Sequence, residues 1–246
     1  MATSGGYTEE ELVKLRTVNG FRQRGEDMTR LETFTDAAFA FAVTLLVVGG
    51  GDSVPVNFDE MTRALMQVPA FAASFANILW FWYAHHVWSR RFGLDDLGAI
   101  LLSLGLVLVV LIYIYPLKAI YSGAIEFFSN GFFQSYFHIG SLHDLRILFV
   151  VFGTAYFALS GMITLLYRHA IRKVQQLALN ELELFESRQS AWFWLINACI
   201  GLFSVLLALS LPPNFIVIAG IWYCSLGIIV PWFEARKEKL RQNLPT

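Results

Sequence analysis

Residues 97–120, LGAILLSLGLVLVVLIYIYPLKAI, form an apolar stretch with a single charged side chain, Lys118, near its end. The hydrocarbon core of a bilayer is about 30 Å thick and is crossed by about 20 mostly apolar residues in an α-helix. Because lipid offers nothing to satisfy the backbone, such a run forms a helix, whereas a barrel strand would alternate apolar and polar residues. The stretch therefore predicts a transmembrane helix.

Five further apolar stretches flank this one, and together they predict an all-α membrane protein, a bundle of six transmembrane helices in one domain. Of the 246 residues, 56% are hydrophobic and 15% charged, against about 25% charged in soluble domains. The predicted organisation is an N-terminal segment 1–29, a transmembrane domain 30–234 and a C-terminal tail 235–246. The predicted spans are 33–49, 64–88, 97–120, 145–167, 191–211 and 215–233.

The positive charges predict the orientation of these helices. Fifteen of the eighteen Lys and Arg residues precede the first span, follow the second or sixth, or lie between the fourth and fifth. The other three are Arg63, Lys118 and Arg146. Because Lys and Arg concentrate on the cytoplasmic side of a membrane, both termini are predicted to be cytoplasmic. The N-terminal segment lacks the apolar core of a cleaved signal peptide, so we expect the first membrane helix to direct insertion.

The connections between spans carry their own signals. Prolines in 211–214, LPPN, predict a tight hairpin, and Thr8 with three following glutamates predicts a capping box and a short helix. The aromatic segment 121–144 suits a strip in the headgroup belt, or alternatively a pore mouth. Strong helix formers in 171–189 predict an extension of the fourth helix beyond the membrane.

The first span differs from the others because it is the shortest and begins with polar residues, RLETFTD at 30–36. A carboxylate at membrane depth costs a few kcal/mol on insertion scales. Asp36 should therefore face protein or water and have a partner. The candidate partners near this depth are Arg30, Glu32, His85 and His86. We expect one of the histidines to form a hydrogen bond with Asp36 or its surroundings.

Further along the same helix, a spacing of 100° per residue places Ala37, Phe41, Thr44, Leu45 and Val48 on one face. The face is apolar except for one hydroxyl. One interpretation is ordinary helix packing. The other is a pore lined by symmetry-related copies of the helix, narrowed by apolar side chains and wetted at Thr44, since apolar constrictions can gate by dewetting.

The motif at 30–36 resembles the Arg-x-x-x-Phe-Ser-Asp signature of the transmembrane protein 175 family, the endolysosomal potassium channels and their bacterial relatives. Thr35 replaces the usual serine and keeps the hydroxyl. The run WFWYAHH at 80–86 is similar to the family's Trp and His pattern in the second helix, and Tyr115-Pro116 is similar to the proline late in its third helix. In topology the resemblance extends from about Arg30 to Phe233.

The resemblance implies a potassium-permeable cation channel without the usual selectivity-filter loop. It also implies a homotetramer in the cell membrane, with the four first helices at its centre. Potassium ions would be the permeant species, and no cofactor is implied. Phe41 stands where the family has Leu or Ile, which leaves conductance and selectivity open. The implied constriction and selectivity residues are Phe41, Thr44, Leu45 and Val48. The implied residues that hold the pore helix are Arg30, Phe34, Thr35 and Asp36, with His85 or His86.

Two other classes stay open at this point: a secondary transporter and a membrane protein with a purely structural role. The absence of midplane charges and of an internal repeat argues against the transporter. Adjacent histidines diverge by 100° on a helix, and Cys199 and Cys224 lie in apolar runs, so no haem or metal site is predicted. No phosphate loop, HExxH or nucleophile elbow occurs, so no enzyme is predicted. A net charge of −1 predicts no nucleic-acid partner.

Overall fold

Helices dominate the computed structural model, which describes residues 7–48 and 56–242. Two short strands, β1 (Thr17–Val18) and β2 (Phe21–Arg22), form an antiparallel hairpin, and 3₁₀ turns occur at Pro213–Phe215 and Trp222–Ser225. The helices are α1 (Glu9–Lys14), α2 (Arg30–Val48), α3 (Phe58–Met66), α4 (Val68–Phe92), α5 (Leu97–Phe128), α6 (Leu142–Arg172), α7 (Glu181–Ser210), α8 (Val217–Ile221) and α9 (Leu226–Gln242).

Four helical runs of the described residues are long and apolar enough to cross a membrane: α5, α6, α7 and the run Pro213–Gln242. A fifth is added if α3 and α4 count as one bent span. Helix α2 is not among them, and its first two turns hold Glu32 and Asp36. The all-α membrane fold is therefore confirmed, while the count of six spans stays a prediction.

The predicted second span, 64–88, is wrong at its start. Helix α3 ends at Met66, α4 begins at Val68, and the two are bent by 41°. Pro69 lies in the first turn of α4. In the first turn of a helix the backbone N–H has no partner within the helix, so a proline is tolerated there. Inside a continuous helix it would remove a hydrogen bond and clash with the preceding turn.

The predicted extension of the fourth helix through 171–189 is also wrong. Helix α6 ends at Arg172, and α7 begins at Glu181. A capping box explains the new start, because the Asn180 side chain accepts from the Glu183 backbone N–H at 2.8 Å and Glu183 accepts from the Asn180 N–H at 3.1 Å. The strong helix formers of this stretch belong instead to the polar beginning of α7.

On the opposite side of the bundle the connections are partly as predicted. The hairpin at 211–214 is confirmed, since α7 is capped at Leu211 and Pro213 opens the 3₁₀ turn. Near the N-terminus, beside the β1–β2 hairpin and not on this side, the Thr8 capping box of α1 is confirmed as well. The aromatic strip 121–144 is shorter than predicted, because α5 continues past Pro116 to Phe128 and α6 begins at Leu142.

Phe81 of α4 lies at the centre of the core, with no exposed surface. Its ring centroid lies 6.4 Å from that of Tyr113 on α5, 5.6 Å from that of Tyr156 on α6 and 5.5 Å from that of Trp194 on α7. Aromatic pairs at such separations contribute beyond their buried area. One side chain of α4 therefore contacts three other helices at once.

Helices α6 and α7 approach each other closely at two glycines. A Cβ built on Gly201 would lie 2.9 Å from the backbone nitrogen of Phe157, and one on Gly153 would lie 3.1 Å from the carbonyl oxygen of Gly201. Small residues at such crossings let helix backbones pack tightly in membranes. A side chain at Gly201 would force α6 and α7 apart.

The β1–β2 hairpin binds the beginning of α7 through a fully buried carboxylate, Glu183. Its oxygens accept from Arg22 Nη2 at 2.7 Å and from Arg24 Nη2 at 2.8 Å. Both arginines also donate to backbone carbonyls of the α6–α7 connection, at Leu177 and Ala178. We call the end of the bundle that holds the hairpin, this connection and the end of α9 the charged end.

A second buried carboxylate, Glu186, joins α9 to the same end. Lys237 Nζ lies 3.1 Å from one Glu186 oxygen and Arg241 Nε lies 3.7 Å from the other. Arg241 also donates to the carbonyl oxygen of Asn19 in the hairpin at 2.6 Å. One turn of α7 therefore binds chain segments from both ends of the sequence.

Substitution of Glu183 by alanine should lower the free energy of unfolding by about 3 kcal/mol, because it leaves two arginines without their buried partner. The measurement is unfolding of the purified protein in mixed detergent micelles. Glu181→Ala, at an exposed position two residues earlier in α7, should change it by less than about 0.5 kcal/mol. Equal losses in the two variants would contradict a stabilising role for the Glu183 cluster.

Candidate functional site

Helix α2 has two different sides. Its buried side chains, which pack on α4 and α5, include Thr35, Phe39, Ala42 and Leu46, each 3% exposed or less. The opposite side is exposed, and its residues are Thr33, Phe34, Ala37, Ala40, Phe41, Thr44 and Val47. One side of α2 is therefore covered by its own chain and the other is not.

Most of the predicted pore face lies on the uncovered side. Phe41 is 56% exposed, and Ala37 and Thr44 are exposed with it. Leu45 is half-buried and packs against the core, so it lies at the edge of this face. The side chain of Val48 lies outside the described residues, and its predicted role stays a prediction.

Asp36 has a different partner from the one predicted. Trp82 Nε1 of α4 donates a hydrogen bond to Asp36 Oδ1 at 2.8 Å. Trp82 was not among the predicted candidates and lies one turn before His86 on α4, while His86 itself lies in the surroundings of Asp36, with its ring stacked on Trp82. Hydrogen bonds to ionised groups are about twice as strong as neutral ones, so this contact ties α2 firmly to α4.

A ladder of three side chains spaced by four residues, Trp82, His86 and Arg90, continues this contact along α4. The rings of Trp82 and His86 stack with centroids 5.4 Å apart. His86 Nδ1 lies 3.7 Å and Arg90 Nε 3.3 Å from Oε1 of the buried Glu32 on α2. The acids Glu32 and Asp36 thus face one stripe of α4, because a spacing of four returns to the same face of a helix.

Arg90 extends the ladder to the N-terminal segment, donating to the carbonyl oxygens of Gly25 and Glu26, each at 2.9 Å. The chain comes close to α4 here, since a Cβ on Gly25 would lie 2.4 Å from the Ser89 carbonyl oxygen. Helix α4 therefore binds the segment before α2 in addition to α2 itself.

The two adjacent histidines have separate roles. His85 is buried and its Nε2 lies 2.9 Å from Ser103 Oγ on α5, whereas His86 faces Glu32. Their divergence by 100° on the helix explains the difference. Of the pair, His86 belongs to the contact with the polar start of α2, and His85 binds α4 to α5.

The four signature residues are not equivalent within the chain. Thr35 is fully buried and donates to the Leu31 carbonyl oxygen at 2.8 Å, and Asp36 is half-buried. Phe34 is 54% exposed and Arg30 is exposed. The holding role predicted for Arg30 and Phe34 stays a prediction, since they lie on the uncovered side.

Sequence reasoning missed Trp82 and Arg90 as partners of the acids on α2. The signal that could have found them is their spacing from His86, four residues on each side. The two acids on α2 are four residues apart, and so are the neighbouring donors on α4. Each set therefore lies on one face of its helix, and the two faces can pack against each other.

An all-α, multi-pass membrane protein in which α2 has a polar, acid-bearing start is the class that this fold and site define. The chain matches the family described as endosomal/lysosomal potassium channel TMEM175 over residues 30–116. It is 33% identical over 237 residues to a protein of Marivirga tractuosa named "Potassium channel", covering 91% of this chain and 94% of that relative. The chain belongs to the TMEM175 family of potassium channels.

Two solved structures resemble the fold. A variant of the potassium channel MtTMEM175, crystallised with a nanobody fusion, superposes with a TM-score of 0.79 at 31% identity, covering 91% of this chain and 99% of that one. A TMEM175 homolog from Chamaesiphon minutus superposes with a TM-score of 0.52 at 20% identity, covering 85% and 96%. The second likeness concerns the fold alone.

Trp82→Phe should destabilise the protein by about 2 kcal/mol, because it removes the N–H that binds the Asp36 carboxylate while it keeps an aromatic ring. Thermal unfolding in detergent, followed by size-exclusion chromatography, measures the loss. Trp80→Phe is the matched control, since Trp80 is 44% exposed and contacts aromatic rings. A Trp82 variant as stable as the control would contradict the role of this hydrogen bond.

Proposed function

We propose that this chain is the subunit of a homotetrameric, potassium-permeable channel of the cell membrane, with α2 lining the pore. The observation that carries the proposal is the uncovered side of α2, where Phe41 and Thr44 are exposed while the opposite side packs on α4 and α5. A helix at the centre of a ring of subunits needs such a side, since its own chain covers only its back.

The chemistry of this side supports a narrow, hydrophobic pore. Phe41 would form a ring of apolar side chains, which can gate by dewetting. The Thr44 hydroxyl donates to the Ala40 carbonyl oxygen at 3.1 Å, which directs its proton toward the backbone. Its oxygen lone pairs are thereby left to face a passing cation, one turn beyond Phe41.

Potassium is proposed as the permeant ion because the Marivirga tractuosa relative and MtTMEM175, each matched over nine-tenths of this chain, are both named potassium channels. The described residues bring together no group of three His, Cys, Asp or Glu side chains that could hold a metal ion. Potassium ions enter the proposal as the transported species.

The charged end is proposed to be cytoplasmic. The hairpin, the end of α4, the α6–α7 connection and the end of α9 meet there through their ion pairs, and fifteen of the eighteen Lys and Arg residues belong to these segments or flank them. Positive charge stays on the cytoplasmic side during insertion. With α2 as a sixth span, both termini would be cytoplasmic.

Phe41→Ala should raise the unitary current severalfold, because it removes the bulkiest apolar side chain from the proposed constriction. Single-channel recording of the purified protein in planar bilayers under opposed potassium and sodium gradients measures this change. Wild-type channels should show discrete openings with a reversal potential displaced toward that of potassium.

Leu108→Ala is the matched control for this experiment. Leu108 is 61% exposed on α5, so its truncation removes a similar exposed apolar group from another helix and should leave the current unchanged. Equal currents in the Phe41 variant and the wild type would refute the constriction. Saturable, coupled flux without unitary openings would point to a transporter. Folded protein that gives no flux at all would point to a structural role.

Thr44→Val should reduce the unitary conductance while preserving assembly, since it replaces the one hydroxyl of this face with a methyl group of similar shape. Thr44→Ser keeps the hydroxyl and should retain most of the wild-type conductance. The same bilayer recordings compare the three proteins. If the valine and serine variants conduct equally, the hydroxyl does not serve the permeation path.

A further inference from the structure

A groove lies between α7 and α9 on the surface of the bundle, near the charged end. Its volume is about 310 Å³, and a smaller cavity of about 50 Å³ shares Gln189 and Phe233 with it. The residues that line the larger groove are Gln189, Trp192, Ile196, Trp232, Phe233, Arg236 and Leu240.

The groove spans the depth at which the two helices pass from polar to apolar sequence. Helix α7 is polar from Glu181 to Ser190 and apolar from Ala191, and α9 turns charged immediately after Phe233. Trp192 and Trp232 are 60% and 56% exposed. Tryptophan at such a transition is typical of the interface between headgroups and acyl chains. The groove therefore lies where a lipid headgroup meets its chains.

The cations around the groove are not equivalent. Lys237 and Arg241 are neutralised by Glu186. Arg236 is exposed, and its guanidinium carbon lies 5.5 Å from the centroid of the Trp232 ring. Within residues 7–48 and 56–242, no carboxylate oxygen lies within 4.0 Å of the nitrogens of Arg236. One uncompensated cation thus borders the polar end of an otherwise mostly apolar groove.

We propose that this groove binds an anionic phospholipid of the leaflet at the charged end. The phosphate binds Arg236, the amide of Gln189 lies within the headgroup region, and an acyl chain lies along Trp192, Ile196 and Trp232. The charge favours an anion, and the apolar walls favour an anion that carries a hydrocarbon chain. Helix α9 is mostly exposed, with Ile228 at 76%, so lipid has direct access to the groove.

Native mass spectrometry of the purified, full-length protein tests the site. The protein in detergent is titrated with dioleoyl phosphatidylglycerol or dioleoyl phosphatidylcholine. The wild type should retain the anionic lipid more tightly than the zwitterionic one. Arg236→Gln should weaken retention of phosphatidylglycerol about fivefold, the effect of one basic side chain at an anionic surface, and weaken retention of phosphatidylcholine by less, because the choline cation balances its phosphate. Arg236→Lys should keep most of the preference.

Arg172→Gln is the matched control, because Arg172 is an exposed cation at the end of α6 that does not line the groove. If Arg172→Gln weakens retention of phosphatidylglycerol as much as Arg236→Gln does, the lipid is bound by the overall positive charge of the protein and not by the groove. That result would overturn the site. Equal retention of the two lipids by the wild type would overturn it too. Ion flux is not measured, so this outcome is independent of the proposed channel function.

Ile196→Trp tests whether lipid or a neighbouring subunit occupies the groove, since the larger side chain fills it without a change of charge. Retention of both lipids should fall while the oligomer keeps its elution volume in size-exclusion chromatography. If a neighbouring subunit packs into the groove, the variant lowers the yield of oligomer and leaves lipid retention unchanged, which refutes the lipid site.

Discussion

The bond between Trp82 and Asp36, with the neighbouring contact of Arg90 and Glu32, is the constraint on which the arrangement of α2 depends. Glu32 is buried and Asp36 half-buried, and a carboxylate removed from water without a partner is costly. Two of them, one turn apart, must therefore lie against a donor-bearing helix. Once α4 supplies the Trp82 hydrogen bond at 2.8 Å and the Arg90 ion pair at 3.3 Å, the rotation of α2 is fixed, and so is the side that its own chain leaves uncovered.

The charged end fixes the same helix through the chain segment that precedes it. The segment before α2 contains the β1–β2 hairpin, which binds α7 through Glu183, and the residues Gly25 and Glu26, which accept from Arg90. Removing one partner of such a buried pair is strongly destabilising, because it leaves an uncompensated buried charge. The position of α2 is thus determined by contacts at two depths, and both use arginines that face buried glutamates.

Sequence predicts best those features that are set by interactions between residues close together in the chain. Hydropathy located the long helices α5, α6 and α7, the capping box at Thr8 located α1, and the prolines located the hairpin at 211–214, because these signals are local. The break at Gln67 and the start of α7 at Glu181 were missed, although Pro69 and Asn180 mark them. The partner of Asp36 could not be deduced from its own surroundings in sequence, since Trp82 reaches it only through the packing of α4 on α2.

The uncovered side of α2 is compatible with lipid as well as with a pore, and this bears on the order of folding and assembly. Its two hydroxyls, on Thr33 and Thr44, are already bonded to the carbonyl oxygens of Thr29 and Ala40, and its other residues include small ones, Ala37 and Ala40, that allow close helix approach. The hydroxyls of this side therefore need no partner outside the chain. The contacts on the buried side of α2 complete the fold of each chain, and the proposed tetramer would use the uncovered side.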